Sequence, residues 1–169
     1  MQHNIIFRPA RKQDESAIWE ILRGAIERRR KDGSEQWQDG YPNPETVQSD
    51  ISKNYGFVLT VDDKVAVYVA LIVNNEPAYE HIDGNWLSEG DFLVMHRVAV
   101  SEEFLGKGLV RRLFAETEHY CRQKGVPSIK VDTNFDNAAM LALLHKTGYQ
   151  YCGEVTMRGG SRKAFEKLL

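Results

Sequence analysis

Hydrophobic positions along the chain change period several times, and each change marks an element. Residues 4–8 read as a short first strand that stops at Pro9. From about residue 12 to residue 31, Ile18, Ile21, Leu22, Ala25 and Ile26 recur at helical spacing. Asp14 and Glu15 suit the first turn of that helix, and Asp32-Gly33 stops it. The stretch 37–44, rich in Gly, Pro and aromatic residues, reads as an ordered loop. Pro44 then fits the first turn of a second, short helix reaching about Lys53. Residues 56–61 and 64–73 are strands joined at Asp62-Asp63, a hairpin signal. Val65, Val67, Val69, Leu71 and Val73 share one face of the second strand; Ala66, Tyr68, Ala70 and Ile72 share the other. A strand apolar on both faces is expected to be central and covered.

Residues 74–90 form a long irregular connection, and 91–100 another two-faced strand. A helix follows Gly108, with Leu109, Val110, Leu113, Phe114, Thr117, Tyr120 and Cys121 on its buried stripe and Gly125 at its end. Residues 128–133 are a strand, and Asp136 can cap a helix running to Thr147, with Gly148 just beyond it. Residues 149–156 and 162–167 finish as strands. The order βααβββαβαββ, with no repeat, linker or low-complexity tract, predicts an α/β fold (an α+β mixed sheet) and a single domain over residues 1–169.

Composition narrows the function classes. Lys+Arg total 22 and Asp+Glu 24, a net charge of -2 that gives no sign of a nucleic-acid partner. The run Arg28-Arg29-Arg30-Lys31 reads as a solvated helix end, where cations suit the macrodipole. No apolar run reaches the ~18 residues of a membrane span, and the polar Gln2, His3 and Asn4 leave no signal-peptide core. Cys121 and Cys152 lie far apart among apolar residues and read as buried free thiols, with no metal site in their spacing. A reducing, cytoplasmic setting is the expectation.

The first chemical signal is a strand, then Gly106-Lys107-Gly108, then a helix. The first amides of a helix have no intrahelical partner and sit at the positive end of its dipole. Two glycines let an anion approach the backbone closely, and Lys107 can add a point charge, so the pattern suits a phosphate-binding turn. It is neither a Walker A loop, which needs GxxxxGK followed by Ser or Thr, nor GxGxxG, because Arg111 stands where the third glycine belongs.

The segment from Val98-Ala99-Val100 through Leu105-Gly106-Lys107-Gly108-Leu109 resembles the CoA-binding motif of the GNAT superfamily of N-acetyltransferases. Asn137-Ala138-Ala139-Met140 and Leu143-Leu144-His145-Lys146-Thr147-Gly148-Tyr149 resemble the family's second motif, at matching spacing. The opening Arg8-Pro9-Ala10 and the whole element order agree, so the resemblance covers essentially the entire chain. It implies an N-acetyltransferase with acetyl-CoA as co-substrate and no metal, acting by direct attack in a ternary complex. It implies central strands (91–100 and 128–133) that splay apart, with pantetheine pairing along the backbone of Val98, Ala99 and Val100. The CoA diphosphate would rest on amides of Leu105, Gly106, Lys107, Gly108, Leu109 and Val110, and Asn137 would touch the pantetheine arm. By analogy with similar proteins a homodimer is expected.

Three positions depart from the family's pattern: Leu105 stands for Arg or Gln, Val110 for Gly or Ala, and Leu144 for the Tyr that serves as general acid. Thiols titrate near ~8.5, so a thiolate leaves tolerably without that acid. His96 interrupts the apolar strand and matches a histidine of arylalkylamine N-acetyltransferases, which makes it the candidate catalytic base. Arg97 faces the other way and is free to meet a carboxylate. Tyr149 is assigned to packing. The acceptor pocket of the family draws on the segments that here hold Trp37, Asp39, Tyr41, Glu76, Tyr79, Glu80, His81, Asp83 and Trp86, among them aromatics and carboxylates able to hold a cationic amine. Trp37, Tyr41 and Tyr79 are the substrate-contact candidates; a small amine, an amino acid and a peptide N-terminus all remain open as acceptors. The alternative class is an acyl-CoA-binding sensor without turnover.

Overall fold

Eight strands and four α-helices make up the chain in the computed structural model, which describes residues 2–169. The strands are β1 (Ile5–Pro9), β2 (Gly56–Val61), β3 (Lys64–Val73), β4 (Asp83–Gly84), β5 (Leu93–Val100), β6 (Ser128–Thr133), β7 (Gln150–Met157) and β8 (Gly160–Leu168). The helices are α1 (Glu15–Lys31), α2 (Pro44–Ser52), α3 (Leu109–Lys124) and α4 (Ala138–Lys146). The mixed α/β class agrees with the sequence reading, and the element order does too except for the added strand β4. No helix among the described residues is long and apolar enough to cross a membrane.

Two compact units are formed, one from Met1–Leu71 with Arg97–Glu116, the other from Ile72–His96 with Thr117–Leu169. In the first, β1, β2 and β3 pair antiparallel in chain order. Asp62 and Asp63 turn the β2–β3 hairpin with φ of 48° and 69°, the left-handed pair that a two-residue loop needs to match strand twist. Asp62 tolerates this because its carboxylate accepts from the Asn4 amide at 2.9 Å. Ile18, Ile21, Leu22 and Ala25 of α1 pack with Val47, Val58, Tyr68 and Ala99 into a closed core, as the helical spacing predicted. Strand β3 is buried from Ala66 to Ile72 on both faces.

Two details of this unit differ from the sequence reading. The first helix does not start at residue 12: Lys12–Asp14 is a separate 3-10 turn. Asp14 accepts a fork from Arg8 at 2.7 and 2.9 Å and the Arg11 amide at 2.7 Å, and this long-range pair fixes the turn. Nor is Arg28 simply solvated, since its guanidinium donates to the Val100 carbonyl at 2.9 Å. Pro44 opens α2 as expected, and Asn43 caps it, accepting from the Thr46 amide at 3.0 Å.

In the second unit the strand order is β5-β6-β8-β7-β4, parallel between β5 and β6 and antiparallel elsewhere. Among the described residues the β5–β6 ladder comprises only Leu93↔Ile129 and Val94↔Lys130, consistent with strands that part early. The connection 74–90 is less irregular than expected: it contains a 3-10 turn, Pro77–His81, and β4. Strand β4 seats on β7 through Gly84 and Gly153, a direct pair in which a Cβ on either would strike the other's backbone. The α4 cap is Asn137 rather than Asp136; its Oδ1 accepts from the Met140 amide, while Asp136 accepts from the Asn134 side chain. Cys121 and Cys152 are buried and free, as expected, and burial pushes the Cys121 thiol up to about 12.

Candidate active site

The phosphate-turn candidate lies in the first unit. Its short 3-10 turn, Glu102–Phe104, hands the chain to Leu105, whose amide is spent on the Glu102 carbonyl at 3.3 Å. Gly106 and Gly108 take φ of 71° and 73°, the left-handed region that glycine enters without penalty. A Cβ at either would meet nothing within 4 Å, so the space beside both glycines is open. The first helical bond of α3 runs from the Arg112 amide to the Gly108 carbonyl at 3.1 Å. The amides of Leu109, Val110 and Arg111 therefore have no partner inside the helix. An exposed Lys107, open space beside the glycines and a helix N-terminus fit the diphosphate of CoA. The Leu105 side chain is exposed, Leu109 is buried and Val110 half-buried.

Upstream, β5 kinks at Arg97, a non-glycine residue with φ of 57°. The sequence left Arg97 free to meet a carboxylate; the structure supplies Asp50, held at 2.6 and 2.9 Å. Tyr68 donates to the same carboxylate at 2.6 Å, and Arg97 donates to the Tyr41 hydroxyl at 2.6 Å. Burial pulls the Arg97 guanidinium down, but the Asp50 hydrogen bonds and charge, with Tyr41, more than reverse this and raise it. Burial, then the Asp50 charge, pushes the Tyr68 phenol well up. Tyr41 is thus occupied by Arg97, and Trp37, with φ of 63°, packs against the α1 core. Val98 and Val100 are half-buried on the same strand; Ala99 points into the core.

The second unit holds His96, whose Nε2 lies 2.7 Å from Glu76 Oε2. An ionised carboxylate can only accept, so Nε2 is the donor in this contact. Both side chains are largely shielded, at 12% and 15% exposure. Beside this dyad a cavity of about 380 Å³ is lined by Glu76, Tyr79, Trp86, Phe92 and Lys130, among others. Tyr79 is 3% exposed, and its hydroxyl donates to Asp132 at 2.6 Å. Burial and then the Asp132 charge push that phenol well up, so it stays a neutral wall. Trp86 donates its indole N–H to the Tyr79 carbonyl at 2.8 Å and stacks tilted on the Tyr79 ring. Glu166, fully buried, accepts from the Leu87 amide and the Ser88 and Ser128 hydroxyls, which fixes the loop over the cavity.

Of the motif residues in this unit, Asn137 uses its Oδ1 on the α4 cap and is half-buried. Leu144 is fully buried on α4, and Tyr149 is 6% exposed, its phenol pushed well up by burial. Sequence reasoning missed the Glu76–His96 bond, Asp132 and Lys130. The last two had left a signal: two charges at alternate positions of a strand that otherwise reads as buried.

Residues 18–149 match the Acetyltransferase (GNAT) family. The chain is 30% identical over 152 residues to the uncharacterized N-acetyltransferase YesJ of Bacillus subtilis (strain 168), covering 86% of this chain and 81% of that one. An acetyltransferase of the GNAT family from Streptococcus agalactiae superposes with a TM-score of 0.89 at 34% identity, over 98% of this chain and 95% of that one. A third, yncA of Salmonella typhimurium, is a candidate acetyltransferase whose structure holds its cofactor acetyl-CoA. It shares the fold at a TM-score of 0.69 and 18% identity, over 98% of this chain and 94% of that one. The chain belongs to the GNAT family of acetyltransferases.

Proposed function

We propose that this acetyltransferase moves the acetyl group of acetyl-CoA onto the primary amine of a small acceptor, by direct attack within a ternary complex. The observation that carries the reading is the Glu76–His96 dyad, whose Glu76 lines the cavity. His96 and Val98 are two residues apart on β5, which limits their Cα atoms to about 7 Å. Pantetheine paired along Val98 to Val100 therefore brings its thioester into the neighbourhood of His96. The amides of Gly106 to Arg111 hold the diphosphate, with Lys107 as a point charge.

The acceptor enters as an ammonium and loses one proton to His96. Its nitrogen then forms the C–N bond to the thioester carbonyl carbon. The C–S bond breaks, and the departing thiolate takes the second nitrogen proton. Leu144 offers no acid, and the thiolate needs none near neutral pH. Two free, buried thiols fit a reducing, cytoplasmic setting.

Leu144 also favours a second reading, an acyl-CoA-binding sensor that never turns over. One experiment separates the two. Purified protein is given acetyl-CoA and a panel of amines while free CoA thiol is followed. Amine-dependent release is expected, and His96→Gln should lower kcat/KM about 10²-fold, most strongly below the amine's own pKa. A pH–rate profile unchanged by His96→Gln would remove the base; binding of acetyl-CoA with no release would favour the sensor.

A further inference from the structure

The cavity of the second unit contains a charge that its walls do not answer. Lys130 is 4% exposed. Its ammonium lies 4.4 Å from the ring centre of Trp86 and 4.2 Å from that of Phe92, and both rings line the cavity with it. Glu166 stands directly opposite on β8, but its two oxygens accept from Leu87, Ser88 and Ser128. Among the described residues no acceptor lies within hydrogen-bonding distance of the Lys130 ammonium. Burial accordingly lowers its pKa, offset in part by the charge of Glu166.

Aromatic faces attract a cation but accept none of its three N–H bonds. Drawing an ammonium partly out of water without an acceptor costs free energy, and a methionine of similar shape would fill the same space without that cost. Of the carboxylates lining the cavity, Glu80 and Glu89 are exposed and solvated at its rim. The shielded one is Glu76, which holds His96. The cavity lining thus carries two shielded charges of opposite sign, and its volume lies at the small end of the range for small-molecule sites.

We propose that the acceptor is a zwitterion of amino-acid type, with its oxyanion paired to Lys130 and its amine directed to the Glu76–His96 dyad. This rests on the reading of the cavity as the acceptor site. A plain amine or a peptide N-terminus satisfies only one of the two charges.

The test compares matched acceptors: α-, β-, γ- and δ-amino acids, the amines of the same chain length without the carboxylate, and the corresponding aminoalkylphosphonates. Wild type and Lys130→Met are assayed by CoA thiol release, and their thermal unfolding is recorded. In wild type an oxyanion-bearing acceptor should exceed its plain amine in kcat/KM by about 10- to 100-fold, the usual worth of an ionic hydrogen bond. Whether carboxylate or phosphonate leads identifies the oxyanion. Lys130→Met should abolish that ratio and unfold no lower than wild type. Equal rates for amino acid and plain amine, or a ratio that survives Lys130→Met, overturn the proposal while leaving acetyl transfer intact. Transfer to none of the panel, with acetyl-CoA still bound in calorimetry, overturns the acceptor-site reading as well.

Discussion

Replacing Asp50 by Asn changes one oxygen to an NH2 group and should cost far more than that suggests. Asp50 is 3% exposed and answers two Arg97 nitrogens and the Tyr68 hydroxyl. The asparagine keeps one acceptor and turns a donor toward donors, so the Arg97 charge is left buried and uncompensated. Breaking one side of such a pair costs about 3–5 kcal/mol. For a chain of this length each kcal/mol moves Tm by roughly 2–4 °C, so a fall of about 6–20 °C is expected. Arg97 also holds φ of 57° between His96 and Val98, so the released strand should raise KM for acetyl-CoA as well. Thermal unfolding by circular dichroism and thiol-release kinetics read the two effects. Removing both partners, as in Asp50→Leu with Arg97→Met, should recover much of the stability but not the KM. An Asp50→Asn protein that melts within about 2 °C of wild type would refute the claim that this pair anchors the kink.

Asp14 gives an acid-side signature. The Arg8 hydrogen bonds, opposed by burial and aided by the Arg11 amide, hold its carboxyl below the usual range. A lowered carboxyl stabilises the fold above its unfolded pKa of about 3.9 and loses that contribution as pH falls further. Asp14→Asn should therefore lower Tm at neutral pH, and the gap to wild type should close below about pH 4; a gap that persists at low pH would contradict the assignment. Glu166→Gln should cost about 2–3 kcal/mol in urea unfolding, because one buried donor among Leu87, Ser88 and Ser128 loses its acceptor. Exchange of the Leu87 amide should quicken, and unaltered protection would show that the loop is held otherwise. Gly108→Ala fits the open space but strains φ of 73° by about 1–2 kcal/mol. Gly108→Glu adds a negative charge at the phosphate turn, so calorimetry should find acetyl-CoA bound at least about 10-fold more weakly. Undiminished affinity would remove the turn from the site.

What could be read in the sequence follows physical range. Helices α1 and α3 and strand β3 were legible because their burial repeats with the local period, at Ile18, Ile21, Leu22 and Ala25 or along Ala66 to Ile72. The left-handed turn at Gly106 and Gly108 was legible because glycines dictate backbone conformation locally, and the hairpin at Asp62-Asp63 because Asp tolerates the left-handed region. The 3-10 start of α1 was not, since it depends on Arg8 reaching Asp14 from another element. Strand β4 was not, because two residues seated by a glycine pair carry no hydrophobic period. His96 stood out as a polar break in an apolar strand, but its partner Glu76 lies 20 positions away in irregular chain. Arg97 and Asp50 are 47 apart. Pairings at that separation are decided by the fold, and a single sequence carries no trace of them.

The glycine contact between Gly84 and Gly153 bears on how this cavity could be redesigned. The strap that roofs the cavity is seated at that point by main chain against main chain, with no side chain in between. That contact involves none of the side chains of Glu80, Trp86 or Glu89, so changes at Glu80 and Glu89 leave the β4–β7 seat intact, whereas one Cβ at either glycine forces the two strands apart.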